Sequence, residues 1–366
     1  MKIVIAAWHL RNFNVGLGRY ARELIEALGR VDQANEYVVL VPDTSAELTP
    51  RPNMRYRRVC VPLFKRRVWE QLAPLMGGTC DILHFPYDSC VAWKRSKFVV
   101  TIHDLKPLVV GGKARRRNLN ERIESLLVGN RWSIIDHIVT DSHWSERDIL
   151  THLPVGPDRV SVVYPGVETE HFCPALDHML GATSRPFVLC VAGDDPMKNV
   201  EALVDAFAGL PLSVRAGHEL VLAGDVQKRA GVRQRIAAHG LEGQVRFPGI
   251  IDDAALVLLY QQARLFVFPS RYEGFGLPVL EAMACGCPVI SSNASSLPEV
   301  VGEAGLLVDP MDVASLSSAM TRVLTDPGLS GALRERGLAQ AQRFSWDRTA
   351  REMVQVYARV GGAPSD

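Results

Sequence analysis

Short apolar runs alternate with stretches of helical periodicity along the whole chain. In the first half they predict strands at Lys2–Ala7, Tyr37–Val41, Tyr56–Val61, Ile82–Phe85, Phe98–Ile102, His137–Asp141 and Val160–Tyr164. Amphipathic stretches such as Arg19–Leu28 and Arg115–Arg131 lie between them. Runs rich in Val and Ile, separated by helices, read as parallel strands joined by helical crossovers. The series then restarts, with strands predicted at Phe187–Ala192, Glu219–Ala223, Val245–Phe247, Leu265–Phe268, Pro288–Ser291 and Leu306–Val308. Helices are predicted at Val200–Phe207, Gln227–His239, Ala254–Ala263 and Pro278–Ala284. After Pro310 the pattern is helical, over Val313–Leu324, Leu329–Arg343 and Trp346–Val360.

Two successive α/β series predict two doubly wound domains. The weakly periodic stretch Tyr164–Arg185, with Pro165, Gly166, Pro174 and Gly181 and Pro186 just beyond, reads as the boundary. The expected division is an N-terminal domain over 1–168, a C-terminal domain over 169–343 and a final helix over 344–366. Ligands of open α/β sheets bind beyond the carboxyl ends of the strands, so function is expected in the loops that follow strands.

Composition narrows the class. The 366 residues are 47% hydrophobic and 22% charged, enough for two cores and unlike a disordered chain. The net charge of +1 hides an asymmetry. Residues 1–165 hold 24 Lys+Arg against 17 Asp+Glu, and residues 166–366 hold 17 against 23. Basic residues gather at Arg55–Arg58, Lys65–Arg67, Lys94–Lys97 and Lys113–Arg117, either a solvated surface or a seat for an anionic partner. Nucleic acid is disfavoured, because these clusters carry few aromatics and match no nucleic-acid module. Seven scattered cysteines without metal spacing fit free thiols and a reducing cytoplasm. The apolar start MKIVIAAWHL is too short for a signal or membrane segment and reads as a buried strand.

The densest chemistry lies in Ser270–Ala282, after the predicted strand Leu265–Phe268. Gly274 and Gly276 allow close backbone approach, and Pro278 suits the first turn of a helix. N–H groups near Gly276 and Leu277 would then form a phosphate seat. Glu273 and Glu281 are acceptors of the kind sugar hydroxyls require, Glu273 for a hexose and Glu281 for a ribose diol. The plain alternative is a strand-to-helix turn with one exposed and one capping Glu. Lys198 stands between a strand and a helix and could meet a phosphate as a point charge, or be an ordinary surface lysine. His103 ends the strand Phe98–Ile102, and Asp104 reads as a brace of that turn. Gly16 and Gly18 precede a helix but lack the spacing of a dinucleotide fingerprint, which disfavours a nicotinamide dehydrogenase. Asp194-Asp195 and Asp252-Asp253 read as a turn and a helix start, so no metal ligands are assigned.

The chain resembles the retaining glycosyltransferases of family 4. Their signature, two Glu separated by seven residues, is matched by Glu273 and Glu281 with the intervening Gly274, Phe275, Gly276 and Leu277. Further matches are Gly16-Leu17-Gly18-Arg19, Ile102-His103-Asp104, Tyr164-Pro165-Gly166-Val167, Pro196-Met197-Lys198-Asn199, Phe247-Pro248-Gly249, Leu297-Pro298-Glu299-Val300 and Phe344-Ser345-Trp346. The resemblance implies the GT-B fold, two Rossmann-like domains facing a cleft, with the last helix crossing back to the first domain. It implies a metal-independent transfer of a hexose from a nucleotide-diphosphate sugar to a hydroxyl of a glycan or lipid-linked acceptor, with no further cofactor. Lys198 would stabilise the leaving diphosphate, His103 would orient the sugar and stabilise positive charge at the anomeric carbon, and the Gly16–Gly18 loop would face acceptor and diphosphate. The chain departs from many members in carrying Ala192, Gly193, Asp194, Asp195 and Met197 where an Arg is frequent. Arg19 or Arg271 is the candidate replacement. Similarity of Gly193–Asn199 to polysaccharide-assembling enzymes favours GDP-mannose over UDP-hexoses. The basic first domain would suit peripheral contact with an anionic membrane from the cytoplasm. A nucleotide-sugar epimerase and a non-catalytic sugar-nucleotide-binding subunit are the competing readings.

Overall fold

The computed structural model describes residues 1–12, 16–42, 48–60, 66–89, 91, 94–110, 131–175 and 185–362. The chain divides into two compact units, Met1–Gly166 with Trp346–Asp366, and Val167–Ser345.

The first unit carries a seven-stranded sheet of β1 (Lys2–Ala6), β2 (Glu36–Val41), β3 (Met54–Arg58), β4 (Ile82–Phe85), β5 (Lys97–Thr101), β6 (His137–Thr140) and β7 (Val160–Val162). All pairings are parallel, in the order β3-β2-β1-β4-β5-β6-β7. The central strands β1 and β4 are apolar because both of their faces are covered. β3 begins earlier than the expected Tyr56–Val61. Pairing with β2 sets its register, Tyr37 opposite Met54, and as an edge strand it carries Arg55, Arg57 and Arg58 without an apolar run.

Helix α1 (Gly16–Val31) buries Tyr20, Leu24, Ile25 and Leu28 against the sheet, and extends past the expected Arg19–Leu28 at both ends. Two of the longer helices were not apparent from periodicity: α2 (Arg66–Met76), which contains Pro74, and α3 (His143–His152). The start of α3 does have a local cause, since the Ser142 hydroxyl accepts from Ser145 N–H at 3.0 Å. The stretch Arg115–Arg131 lies outside the described residues except for Arg131, which opens a short 3-10 turn.

The second unit holds β8 (Phe187–Val191), β9 (Glu219–Ala223), β10 (Val245–Gly249), β11 (Leu265–Phe268), β12 (Val289–Ser292) and β13 (Leu306–Val308). They are all parallel, in the order β10-β9-β8-β11-β12-β13. Around this sheet lie α4 (Val200–Ala208), α5 (Ala230–Ala238), α6 (Asp253–Gln262), α7 (Leu277–Ala284), α8 (Val313–Thr325) and α9 (Pro327–Ala341). The helix expected over Gln227–His239 breaks into a 3-10 turn at Asp225–Lys228 and α5. The break is at Arg229, which takes extended φ/ψ while its guanidinium bonds the Asp195 carbonyl and the Glu201 carboxylate. Asp252 caps α6 by accepting from Ala255 N–H, the helix start its sequence implied.

The last helix, α10 (Trp346–Gly361), packs Trp346, Met353, Val356 and Tyr357 into the core of the first unit beside α1. It also brings the Tyr357 hydroxyl to 2.7 Å from His84 Nδ1, while His84 Nε2 meets Thr101 Oγ1 at 3.0 Å. His84 is fully buried, and burial pushes its pKa down to about 3. Burial likewise lowers His9 and His137 to about 4. Among the described residues no helix is long and apolar enough to cross a membrane.

These three histidines fix the sign of an acid response. The unfolded chain takes up protons near the ordinary histidine pKa, and the folded chain does so only at lower pH. Their contribution is therefore present above pH 6.5 and lost as pH falls toward 4. Urea midpoints measured at pH 7 and pH 5 should fall on acidification, and a flat response would contradict the burial of neutral His84. At pH 7, Tyr357→Phe should cost about 1–3 kcal/mol by the same assay, because it strands a buried imidazole nitrogen.

Candidate active site

In each sheet the strand order reverses between two neighbours, β1 and β4 in the first unit and β8 and β11 in the second. Loops leaving such a pair go to opposite faces and open a crevice at the strand ends. The polar residues singled out from sequence stand on loops that follow these strands or their neighbours.

In the second unit, the loop after β8 (192–199) and the loop after β11 (269–276) are laced together. Arg271 N–H donates to the Met197 carbonyl at 2.8 Å. Asn199, 2% exposed, donates from Nδ2 to the carbonyls of Pro269 (3.1 Å) and Pro310 (2.8 Å), joining the loops after β8, β11 and β13. Its φ of +55° is left-handed, a conformation Asn tolerates better than most residues. The Asp195 carboxylate accepts from Met197 N–H at 3.0 Å and stiffens the same loop.

On this frame Lys198 and Glu273 meet. Lys198 Nζ lies 2.7 and 3.0 Å from the two carboxylate oxygens of Glu273, and 5.1 Å from the centre of the Phe268 ring. The side chains are 22% and 15% exposed, so the pair is partly desolvated yet reachable. The Ser270 hydroxyl also donates to Glu273. Glu273 is held through its backbone as well. Its N–H donates to Ser295 Oγ at 2.9 Å, and its carbonyl accepts from Ser296 Oγ at 3.0 Å.

The chain then turns into α7. Gly276 has φ +120°, and a Cβ there would fall 2.7 Å from Leu297 Cδ2, so both conformation and space demand glycine. No side chain caps this helix start; Pro278 has no N–H and Val279 N–H donates to the Gly276 carbonyl at 3.0 Å, which leaves the Gly276 and Leu277 N–H groups to a ligand or solvent. Gly274 and Phe275 are buried, with the Phe275 ring 5.8 Å from that of Phe344, while Leu277 is half-buried. Glu281, one turn into α7, is 5% exposed and accepts from the Tyr260 hydroxyl of α6 at 3.1 Å.

The two arginines considered from sequence stand on different units. Arg271 is exposed on the loop beside Lys198 and Glu273, and Arg19 is half-buried on α1 of the other unit. A third arginine, Arg229, was not apparent from sequence. It lies against the 192–199 loop through the Asp195 carbonyl at 2.8 Å, but its charge is matched by Glu201 at 2.6–2.7 Å. It buttresses the loop and adds no net charge.

In the first unit, His103 follows β5 and Asp141 follows β6. His103 Nδ1 is 2.6 Å from Asp141 Oδ2, and Nε2 is 3.2 Å from the Pro86 carbonyl. The Tyr20 ring, two residues beyond Gly18, packs edge-on against the imidazole at 4.5 Å. Asp141 raises the pKa of His103 against the opposing effect of burial. Both ring nitrogens face acceptors, so the imidazole holds no free lone pair and cannot serve as a base in this arrangement. A protonated ring also repels a developing cation, so charge stabilisation at the anomeric carbon would have to come from the His103–Asp141 pair as a net-neutral unit. Asp104 braces the turn by accepting from Lys106 N–H at 2.9 Å. Gly16 has φ +48°, and among the described residues no atom lies within 4 Å of a Cβ placed there. Gly18 is a packing glycine, since a Cβ there would lie 2.1 Å from the Asn12 carbonyl oxygen.

The comparisons with known proteins agree with one another. The model of the glycosyl transferases group 1 matches residues 180–340, and that of glycosyltransferase family 4 matches residues 15–171. The chain is 27% identical to O-antigen chain mannosyltransferase B of Escherichia coli, over 98% of this chain and 99% of that one. It is 34% identical to the serotype-specific mannosyltransferase WbdA of Escherichia coli, over 74% of this chain but only 34% of that protein. Among solved structures, sucrose-phosphate synthase of Thermosynechococcus elongatus superposes with a TM-score of 0.76 at 25% identity, over the full length of both chains. With paired Glu273 and Lys198 on a parallel α/β frame and both family models aligned along it, the chain belongs to the group 1 glycosyltransferases of family 4, enzymes of the GT-B fold.

Proposed function

We propose that the chain transfers a mannosyl group from GDP-mannose to a hydroxyl of a glycan or lipid-linked glycan, with retention of anomeric configuration and without a metal ion. The observation that carries this reading is the Lys198–Glu273 pair, poised beside the uncapped start of α7. The names of the two Escherichia coli relatives support the choice of mannose.

In this mechanism the donor diphosphate draws the Lys198 ammonium away from Glu273. Lys198 and the α7 N–H groups then take up the charge that grows on the leaving diphosphate. Glu273, released from its partner, accepts hydrogen bonds from hydroxyls of the transferred sugar. Glu281 takes the ribose diol in place of the Tyr260 hydroxyl. His103 donates to a hydroxyl of the sugar, and Gly16 leaves room for the acceptor. The bond from the anomeric carbon to the phosphate oxygen breaks, and the acceptor oxygen attacks from the same face. The departing phosphate oxygen takes the acceptor's proton. Positioning and electrostatics supply the acceleration, with no covalent nucleophile required. The basic first unit would hold the enzyme against an anionic, cytoplasm-facing membrane where a lipid-linked acceptor resides.

Lys198→Ala and Glu273→Ala should each lower turnover by roughly 10²-fold or more, the scale of removing one positioned charge-stabilising group. Circular dichroism should show both folded, and near-normal transfer by either purified variant would sink that residue's role. In a thermal-shift screen GDP-mannose should stabilise the protein more than UDP-hexoses, by about 2.7 kcal/mol at a hundredfold excess over Kd. Transfer should persist in EDTA and require an added acceptor. Product formed without acceptor would instead indicate an epimerase. Binding to anionic vesicles should weaken as salt rises, and no binding at low salt would remove the membrane contact.

A further inference from the structure

We infer that Asp141 is a positioning residue, which holds the His103 ring so that its Nε2–H is presented to a hydroxyl oxygen of the transferred sugar. The inference rests on the reading above that His103 meets the sugar. Asp141 and His103 stand at the carboxyl ends of the adjacent parallel strands β6 and β5, whose pairing fixes their spacing. The 2.6 Å contact sets one nitrogen of the ring, and Tyr20 packed edge-on sets its plane. The second contact, to the Pro86 carbonyl, is the longer one at 3.2 Å. A sugar oxygen arriving at Nε2 would replace that carbonyl and receive the same hydrogen.

The arrangement specifies the protons. A carbonyl only accepts, so Nε2 carries a hydrogen, and one further proton lies in the Nδ1–Oδ2 bond. The unit is neutral as a whole whichever of the two atoms holds that proton. Two observations set Asp141 apart from a residue that merely braces a turn, as Asp104 does. It is 5% exposed, and its Oδ1 is buried without a hydrogen-bond partner in the structure described. By contrast, buried His84 meets two hydroxyl groups and is neutral. Around the pair stand Asp88 and Asp104, which favour the proton, His9 and His84, which disfavour it, and the Tyr20 phenol. Loss of one of these two protons at high pH leaves the other on Nδ1, facing the carboxylate, and a bare lone pair at Nε2. The donor to the sugar is then gone.

The test is the titration of His103 in the full-length protein labelled at histidine, with the resonance assigned by its loss in His103→Gln. Asp141→Asn should lower the midpoint by about 1–3 pH units, the usual effect of removing a contacting opposite charge. The basic limb of kcat/KM should move the same way. A purely structural Asp141 would lower thermal stability and leave the midpoint in place, which overturns the assignment. If Asp141→Asn does not fold, ring ¹⁵N shifts of the unsubstituted protein decide. Hydrogen on Nε2 at neutral pH is expected, and a bare Nε2 refutes the inference. Normal transfer by His103→Gln would refute the sugar contact alone, because the titration does not depend on activity.

Discussion

Every strand in both sheets runs parallel to its neighbours, and that constraint organises the rest of the molecule. Parallel pairing puts all strand starts at one edge and all strand ends at the other, so each return must cross over a face, in most cases by way of a helix. The ends of β8, β11, β12 and β13 are thereby brought close together although they are far apart in the chain. Lys198 and Glu273, 75 residues apart, form an ion pair because their strands are neighbours across the reversal of order.

Loops at such an edge need their own backbone partners, and here small polar side chains supply them. Asn199 bonds two carbonyls, Ser295 and Ser296 hold the backbone of Glu273, and the Ser292 hydroxyl donates to the Ser270 carbonyl. With the backbone satisfied in this way, the Glu273 carboxylate is left to the Lys198 ammonium and the Ser270 hydroxyl. In a partly desolvated setting carboxylate and ammonium are each other's charge partner. The same economy explains Arg229. Buried and matched by Glu201, it stiffens the loop without adding charge where a phosphate would lie.

In the first unit, buried His84 and partly buried His103 show how partner chemistry shifts a histidine's pKa. His84 and His103 are both withdrawn from solvent, which disfavours the charged ring. Hydroxyl partners leave that penalty uncompensated for His84. A carboxylate at 2.6 Å overcomes it for His103. Withdrawal from solvent thus lowers the pKa of one histidine, while a carboxylate partner raises that of the other.

Apolar runs alone were enough to reveal the two α/β series, because buried parallel strands must be continuous in Val, Ile and Leu. β4, β9, β11 and β13 fall at their expected limits for that reason. The paired glutamates were legible too, since Gly, Pro and Glu at fixed spacing encode a strand-to-helix turn locally. Edge strand β3 was misplaced because its register comes from β2, and the break before α5 was missed because Arg229 answers to Asp195 and Glu201. Asp141 and Arg229 carried no signal of their own. Each acquires its role from a partner distant in the chain, and periodicity and local spacing report only on residues that share an element. Where the buried strands lie is written in the order of the amino acids. Which of their ends face one another, and therefore which charges and protons are paired, follows from the packing of the sheet.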